Sequence, residues 1–159
     1  MMVDLNDQQK DAFSKAAALC SRAEKSPAAI QRKLGQWGLS SDDAGAVMQQ
    51  LFRHQFLDEG RFAASYVRDK FRFNHWGRLK IAFHLKAEGI PGPVIAAALE
   101  EIEDGDYRET LNSLLADKIR KTKAVNQYDL KAKVFRFAQS RGFEQDLIQS
   151  VFNNLQKEE

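Results

Sequence analysis

A single cysteine, Cys20, stands in this chain of 159 residues. One thiol excludes an internal disulfide framework and fits a reducing compartment. It falls beside Ala16, Ala17 and Leu19 in a helical pattern, where a small buried hydrophobe is expected rather than a reactive thiol. Long hydrophobic runs are missing too. The longest uncharged stretch, Gly89 to Leu99, is too short to span a bilayer and is interrupted by Pro91 and Pro93. Residues Met1 to Asp11 are polar and hold no apolar core of a signal peptide. A soluble, cytoplasmic chain without membrane contact is expected.

Enzyme signatures are also wanting. There is no G-x4-G-K-[ST] phosphate loop, no G-x-G-x-x-G turn, no H-E-x-x-H pair and no G-x-S-x-G elbow. His54, His75 and His84 have no metal-ligand spacing, and one cysteine cannot complete a structural zinc site. No catalytic residue, metal or cofactor is expected. His84 lies beside an apolar stripe with Glu88 four residues on, so a half-buried histidine bonded to that carboxylate is the expectation. His54 and His75 fall near helix ends in solvent.

What the chain does contain is one short phrase written three times. Two apolar residues four apart are followed, four residues later, by a glycine and another apolar residue. It reads Ile30-x3-Leu34-x3-Gly38-Leu39, Ile81-x3-Leu85-x3-Gly89-Ile90 and Val134-x3-Ala138-x3-Gly142-Phe143, with glycines 51 and 53 residues apart. A left-handed glycine just past a helix brings the last-turn residue against the apolar residue beyond it. Leu34–Leu39 and Leu85–Ile90 fit that contact, and Ala138–Phe143 fits it weakly. Three matched stops predict one helical unit used three times.

Periodicity is helical throughout, and no strand alternation emerges. In residues 1–55 a helix is predicted from Asp7 to Glu24. Ser26 then caps a second helix whose first position is Pro27, and Ser40, Ser41 and Asp42 offer caps for a third with the stripe Val47, Met48, Leu51 and Phe52. In residues 56–104 Asp58 caps a helix that turns Phe62, Ala63, Tyr66, Val67 and Phe73 inward. Gly77 breaks it, Ile81 and Leu85 carry the next, and Pro91 and Pro93 start the last. In residues 105–159 the inward sets are Tyr107, Leu111, Leu114 and Leu115; then Leu130, Val134 and Phe137; then Leu147, Ile148, Val151 and Phe152. The predicted fold is all-α: three tandem three-helix repeats in an elongated, curved array. Such arrays stack small cores and offer long surfaces to large partners.

A formal net charge of +2 conceals an uneven distribution. Residues 1–60 hold 7 basic and 8 acidic side chains, 61–90 hold 7 and 2, 91–106 hold none and 5, and 107–159 hold 10 and 7. Arg61, Arg68 and Arg72 share one face of a predicted helix, and Lys70, Arg78 and Lys80 extend the charge past Gly77. Between Lys118 and Arg141 there are 8 basic side chains, Lys131, Lys133 and Arg136 among them, against Asp129 alone. A solvated basic surface accounts for any one of these. Their concentration in two successive repeats favours an anionic partner, either nucleic-acid phosphates or an acidic protein groove. Trp37, Phe71, Phe73 and Trp76 lie among these charges. Core packing is the default for each, with Trp76 also a candidate partner contact. Glu100, Glu101, Glu103, Asp104 and Asp106 read as a solvated linker around Gly105.

In the second repeat, Leu57-Asp58-Glu59-x-Arg61-Phe62-Ala63-x2-Tyr66-Val67 is followed by Gly77-x2-Lys80-Ile81-x3-Leu85-x3-Gly89-Ile90 and Ile95-x3-Leu99. This order and spacing resembles the central motif of the RecX family of bacterial regulatory proteins. Ser26-x3-Ile30-x2-Lys33-Leu34-x3-Gly38 is similar to that family's first repeat, and Lys133-x2-Arg136-Phe137-x3-Arg141-Gly142-Phe143-x4-Ile148 to its third. The resemblance implies a non-enzymatic regulator of recombination and DNA repair, and a monomer is expected. Such a protein lies in the groove of the RecA filament on single-stranded DNA and inhibits filament extension, ATP hydrolysis and strand exchange. Arg61, Arg68, Arg78 and Lys80, with Lys133, Arg136 and Arg141, would then face the filament or its DNA. Lys80 stands where the family usually has arginine, His84 where it has a carboxylate or amide, and Glu88 where lysine is common. The alternative is a stand-alone nucleic-acid-binding helical repeat protein acting through its basic face.

Overall fold

The computed structural model describes residues 4–157. The outermost ends of the first and third predicted repeats, 1–3 and 158–159, lie outside the described residues. Among the described residues the chain forms α1 (Asp7–Arg22), α2 (Pro27–Gln36), α3 (Ser41–Arg53), α4 (Glu59–Arg72), α5 (Arg78–Ala87), α6 (Gly92–Leu99), α7 (Asp104–Lys121), α8 (Gln127–Ser140) and α9 (Gln145–Lys157), with no strand. The fold is all-α, built of three-helix repeats. None of these helices is long and apolar enough to cross a membrane.

Helix starts follow the expected chemistry. Ser26 Oγ accepts from Ala29 N–H at 3.0 Å ahead of Pro27, and Asp58 Oδ1 accepts from Arg61 N–H at 2.8 Å. Ser40 caps α3 through Asp43 N–H at 3.2 Å. Asn6 and Gln9 form a reciprocal capping box at α1, each bond 2.8 Å.

The stops are the sharpest local feature. Gly38, Gly89 and Gly142 have φ of 89°, 81° and 92° and follow the second helix of each group. Beyond them the N–H of Leu39, Ile90 and Phe143 donates to the carbonyl of Leu34, Leu85 and Ala138 at 3.1, 3.1 and 3.2 Å. These are Schellman closures, which satisfy carbonyls that the helix end leaves free. A fourth closure lacks the glycine. Gln55 takes φ 61° after α3 while Phe56 N–H donates to Leu51 O at 2.9 Å.

Contacts gather the chain into two compact units, one comprising residues up to Ser65 with Leu85–Ile95, the other Tyr66–His84 with Ala96 onward. In the first, Ala12 and Ala16 of α1, Ile30 and Leu34 of α2, and Val47, Met48 and Leu51 of α3 form the core, with Leu39 and Leu57 closing it. Cys20 is half-buried against this core. Burial raises its thiol pKa, and Glu24 adds to the rise. Ser26 also donates its hydroxyl to Glu88 at 2.8 Å, and Arg32 lies 3.7 Å from the same carboxylate.

In the second unit Tyr107, Leu111 and Leu115 of α7 are buried, as are Val134 and Ala138 of α8 and Ile148, Val151 and Phe152 of α9. Phe143 stacks on Tyr107 at 5.1 Å between centroids. Burying a side chain such as Leu111 stabilises by about 1.5–3 kcal/mol relative to leaving it in water.

Four expectations need correction. Phe73, taken as inward, is 72% exposed, because α4 ends at Arg72 and the ring lies beyond its stripe. Phe52 is 40% exposed at the edge of α3's buried face. Glu88 is engaged by Ser26 and Arg32, while His84 packs its ring on Trp76 at 4.8 Å. Gly105 is no linker glycine: it sits in the first turn of α7, with Asp104 and Asp106 at the positive end of the helix dipole.

Candidate nucleic-acid interface

The candidate surface lies in the second unit and starts where α4 gives way to α5. His75 adopts φ 54° and Trp76 N–H donates to Lys70 O at 3.1 Å, which folds the indole back along the end of α4. Two ammonium groups then lie over it, Lys70 Nζ at 4.9 Å and Lys80 Nζ at 4.5 Å from the ring centroid. The His84 ring packs against the indole, and Phe83, 70% exposed, meets His84 edge-on at 5.5 Å. A half-buried indole with two cations over it, continued by an exposed ring, combines phosphate attraction with a stacking face.

Two glycines hold α5 against the end of α8. Gly77 N–H donates to Arg141 O at 2.6 Å and Leu79 N–H to Gly142 O at 3.0 Å. Free N–H groups of one helix start thus meet the carbonyls of another helix end. A Cβ on Gly77 would lie 2.4 Å from Gly142 C, and one on Gly142 would lie 2.3 Å from Lys80 Cβ, so only glycines permit the approach. Lys80 Nζ, carried across this junction, donates to Ser140 O at 3.4 Å.

Beyond Ser140 the positive surface continues. Lys118 Nζ and Arg141 Cζ each lie 5.0 Å from the Phe137 ring centroid, and Arg141 Nη1 donates to Asn74 O at 3.4 Å. A groove of about 580 Å3 between the end of α7 and α8 is lined by Lys118, Lys121, Lys123, Lys133, Arg136 and Phe137. Lys133 spans it, 3.0 Å from Asp129 and donating to Lys123 O at 2.9 Å. Asp129's carboxyl is held below its ordinary pKa, first by the hydrogen bond from Lys133 and then by that from Val125 N–H. Lys131 covers Phe135 at 5.3 Å.

Eight of the ten sequence-predicted cations therefore separate into two kinds. Lys70, Lys80, Lys131, Lys133, Arg136 and Arg141 belong to this aromatic and basic surface. Arg61 and Arg78 are committed internally. Arg61 bonds Glu24 at 2.7 Å and the Gln55 carbonyl at 2.9 Å, closing the glycine-free stop after α3. Its guanidinium pKa is raised, chiefly by the Glu24 bond. Arg78 lies 4.0 Å over the Tyr107 ring and donates to Ile102 O at 3.1 Å and Asp104 at 2.9 Å. Its backbone N–H donates to the Tyr107 hydroxyl at 2.8 Å, and that hydroxyl donates to Glu144. Burial, then the Glu144 bond, pushes the Tyr107 pKa far above the phenolic range. Arg68 pairs with Glu101 at 3.3 Å, and Arg72, on the same side of α4, has no ion-pair partner among the described residues.

Sequence reasoning left Lys118, Lys121 and Lys123 out of the candidate set and gave His84 the wrong neighbour. The spacing Lys70-x5-Trp76-x3-Lys80-x3-His84 carried the signal. It needed only the turn at Trp76 to become a stack.

Two family profiles match the chain: the second three-helix domain of RecX over residues 58–99 and the third over 106–152, together more than half of it. The chain belongs to the RecX family. The Regulatory protein RecX of Yersinia enterocolitica is 29% identical over 169 residues, covering 91% of this chain and 97% of its own. The Regulatory protein RecX of Clostridium perfringens strain 13 is 28% identical over 132 residues, covering 82% of this chain. The chain spans only 61% of that relative's length. Two crystal structures share the fold at a TM-score of 0.85. RecX from Lactobacillus salivarius is 19% identical and covers 94% of this chain and 97% of its own; a regulatory protein RecX is 23% identical and covers 92% and 72%.

Proposed function

We propose that this chain regulates homologous recombination by binding the filament that RecA forms on single-stranded DNA, within the filament's groove. Its binding restrains filament extension, ATP hydrolysis and strand exchange. The observation that carries this reading is the Lys70–Trp76–Lys80 stack, which with the α7–α8 groove forms a cationic and aromatic surface on a chain of a regulatory family. Ammonium groups attract phosphates with release of counterions, and exposed rings accept unpaired bases. The protein acts as a cytoplasmic monomer without catalysis of its own, and its repeats run 1–55, 56–104 and 105–159.

Arg61 and Arg78 hold the protein's own structure in this reading, while Lys70, Lys80, Lys131, Lys133, Arg136 and Arg141 meet the anionic partner. The exposed Phe83 ring also favours a second reading, a stand-alone binder of single-stranded nucleic acid. Co-sedimentation and electron microscopy separate the two. Under the first, the protein pellets with RecA–DNA filaments more tightly than with bare DNA, and the filaments shorten. Equal affinity for bare DNA and unaltered filament lengths would leave the stand-alone reading in its place.

A further inference from the structure

A second concavity of the same unit has the opposite sign. Between the C-terminal half of α4 and one side of α7 lies a cleft of about 630 Å3. Its floor is apolar, made by Val67, Phe71, Ile102 and Leu114. The α7 side is acidic. Glu101 is taken by Arg68, and Asp117 by Arg120 and Lys121. That leaves Glu103, Asp106 and Glu109, all exposed and without an ion-pair partner among the described residues. Helical geometry keeps this cleft off the cationic surface. On α4, Val67 and Phe71 share a stripe, whereas Lys70 lies about 60° and about 100° round the helix from them and does not line the cleft.

The chemistry narrows the occupant. The α4 side also carries Arg68 and Arg72, but three unpaired carboxylates outnumber the one unpaired arginine, Arg72, and repel a nucleotide or a DNA strand. They also do not converge: no group of three or more His, Cys, Asp or Glu side chains among the described residues could hold a metal ion. Carboxylates strung along a helix above an apolar floor suit a strand of positive charges with an apolar anchor. We propose that the α4–α7 cleft docks a basic, amphipathic segment of a protein partner, its lysines or arginines meeting Glu103, Asp106 and Glu109 and one apolar side chain seated on Phe71. The second unit thus separates its ligands by charge, with phosphates on the Trp76 surface and protein in this cleft. Taking that protein to be the RecA of the filament rests on the functional reading above.

The test uses the full chain and a variant, Glu103→Gln/Asp106→Asn/Glu109→Gln, whose three sites are exposed and whose fold is checked by circular dichroism. First, an amphipathic leucine–lysine 14-residue peptide is titrated while amide resonances are followed. The proposal expects saturable shifts at Phe71, Arg72, Thr110 and Ser113, at least tenfold weaker binding by the variant, and none of this with the leucine–glutamate peptide. Absence of those shifts overturns it. Second, affinities for RecA–DNA filaments and for bare single-stranded DNA are compared. The variant should bind filaments at least tenfold more weakly and bare DNA within twofold of wild type. An undiminished filament affinity overturns the assignment of RecA to this cleft. Failure of the wild-type chain to bind filaments at all refutes the functional reading instead, and the peptide titration then decides the cleft alone.

Discussion

Replacing Gly142 by alanine tests the junction that supports the binding surface. Two costs add at this residue. Its φ of 92° places a Cβ in the left-handed region, which costs about 1–2 kcal/mol. That Cβ would also lie 2.3 Å from Lys80 Cβ and 2.6 Å from Lys80 N. Backbone cannot rotate aside as a side chain can, so α5 must retreat. Retreat opens the bonds from Gly77 N–H to Arg141 O and from Leu79 N–H to Gly142 O, and a buried amide left without a partner costs about 1–3 kcal/mol. The expected loss is about 2–5 kcal/mol. Gly38 supplies the control, having φ 89° but room for a Cβ, whose nearest neighbour would be Gln8 Nε2 at 3.9 Å. Gly38→Ala should therefore cost only about 1–2 kcal/mol of strain. One tryptophan reports on each unit. Urea unfolding of Gly142→Ala is read through Trp76 in a Trp37→Phe background, and that of Gly38→Ala through Trp37 in a Trp76→Phe background. At an m-value of about 2 kcal/mol/M the midpoints should move by about 1–2.5 M and about 0.5–1 M. Equal shifts would refute the close approach as the reason for Gly142.

Other outcomes follow from the same geometry. Tyr107→Phe removes a hydroxyl that accepts from Arg78 N–H and donates to Glu144, and should cost about 1–3 kcal/mol in urea unfolding at pH 7. Because the folded phenol titrates far above an unfolded tyrosine, its contribution is complete below about pH 10 and is lost as pH rises further. The stability gap between wild type and Tyr107→Phe should therefore narrow above about pH 10. Phe83→Ala should weaken single-stranded DNA binding by about 1–3 kcal/mol, measured by fluorescence anisotropy. Arg136→Ala should lower the slope of log K against log salt by about one, while Arg61→Ala, at an arginine spent on Glu24 and Gln55, should leave DNA affinity and slope unchanged. Cys20 should react with a thiol reagent more slowly than free cysteine, since its raised pKa lowers the thiolate fraction.

Local chemistry is legible in the sequence. The caps at Ser26 and Asp58 and the helix-stop bonds past Gly38, Gly89 and Gly142 each act within five residues along the chain, so spacing alone carries their signal. What failed depended on distant partners. Arg78 reads as a surface cation until Tyr107 and Glu144, from the next repeat, fold over it. Glu88 reads as a partner for His84 until Ser26, 62 residues away, takes it. Gln55 and His75 conceal their turns because neither is the glycine that a left-handed φ of 61° or 54° favours. Of the ten candidate cations, Lys70, Lys80, Lys131 and Arg141 lie over aromatic rings of the basic surface. Arg61 and Arg78 bond to carbonyls and carboxylates that no helical periodicity reveals.

If the cationic and aromatic surface of the second unit restrains RecA on single-stranded DNA, the restraint is visible in the DNA-dependent ATP hydrolysis of the host RecA as this protein is added. The rate should fall as the protein approaches equimolar RecA, and Trp76→Ala/Lys80→Ala/Arg136→Ala should restore it without unfolding the chain. An undiminished rate at equimolar wild-type protein, or full inhibition by that variant, would contradict a role for this surface.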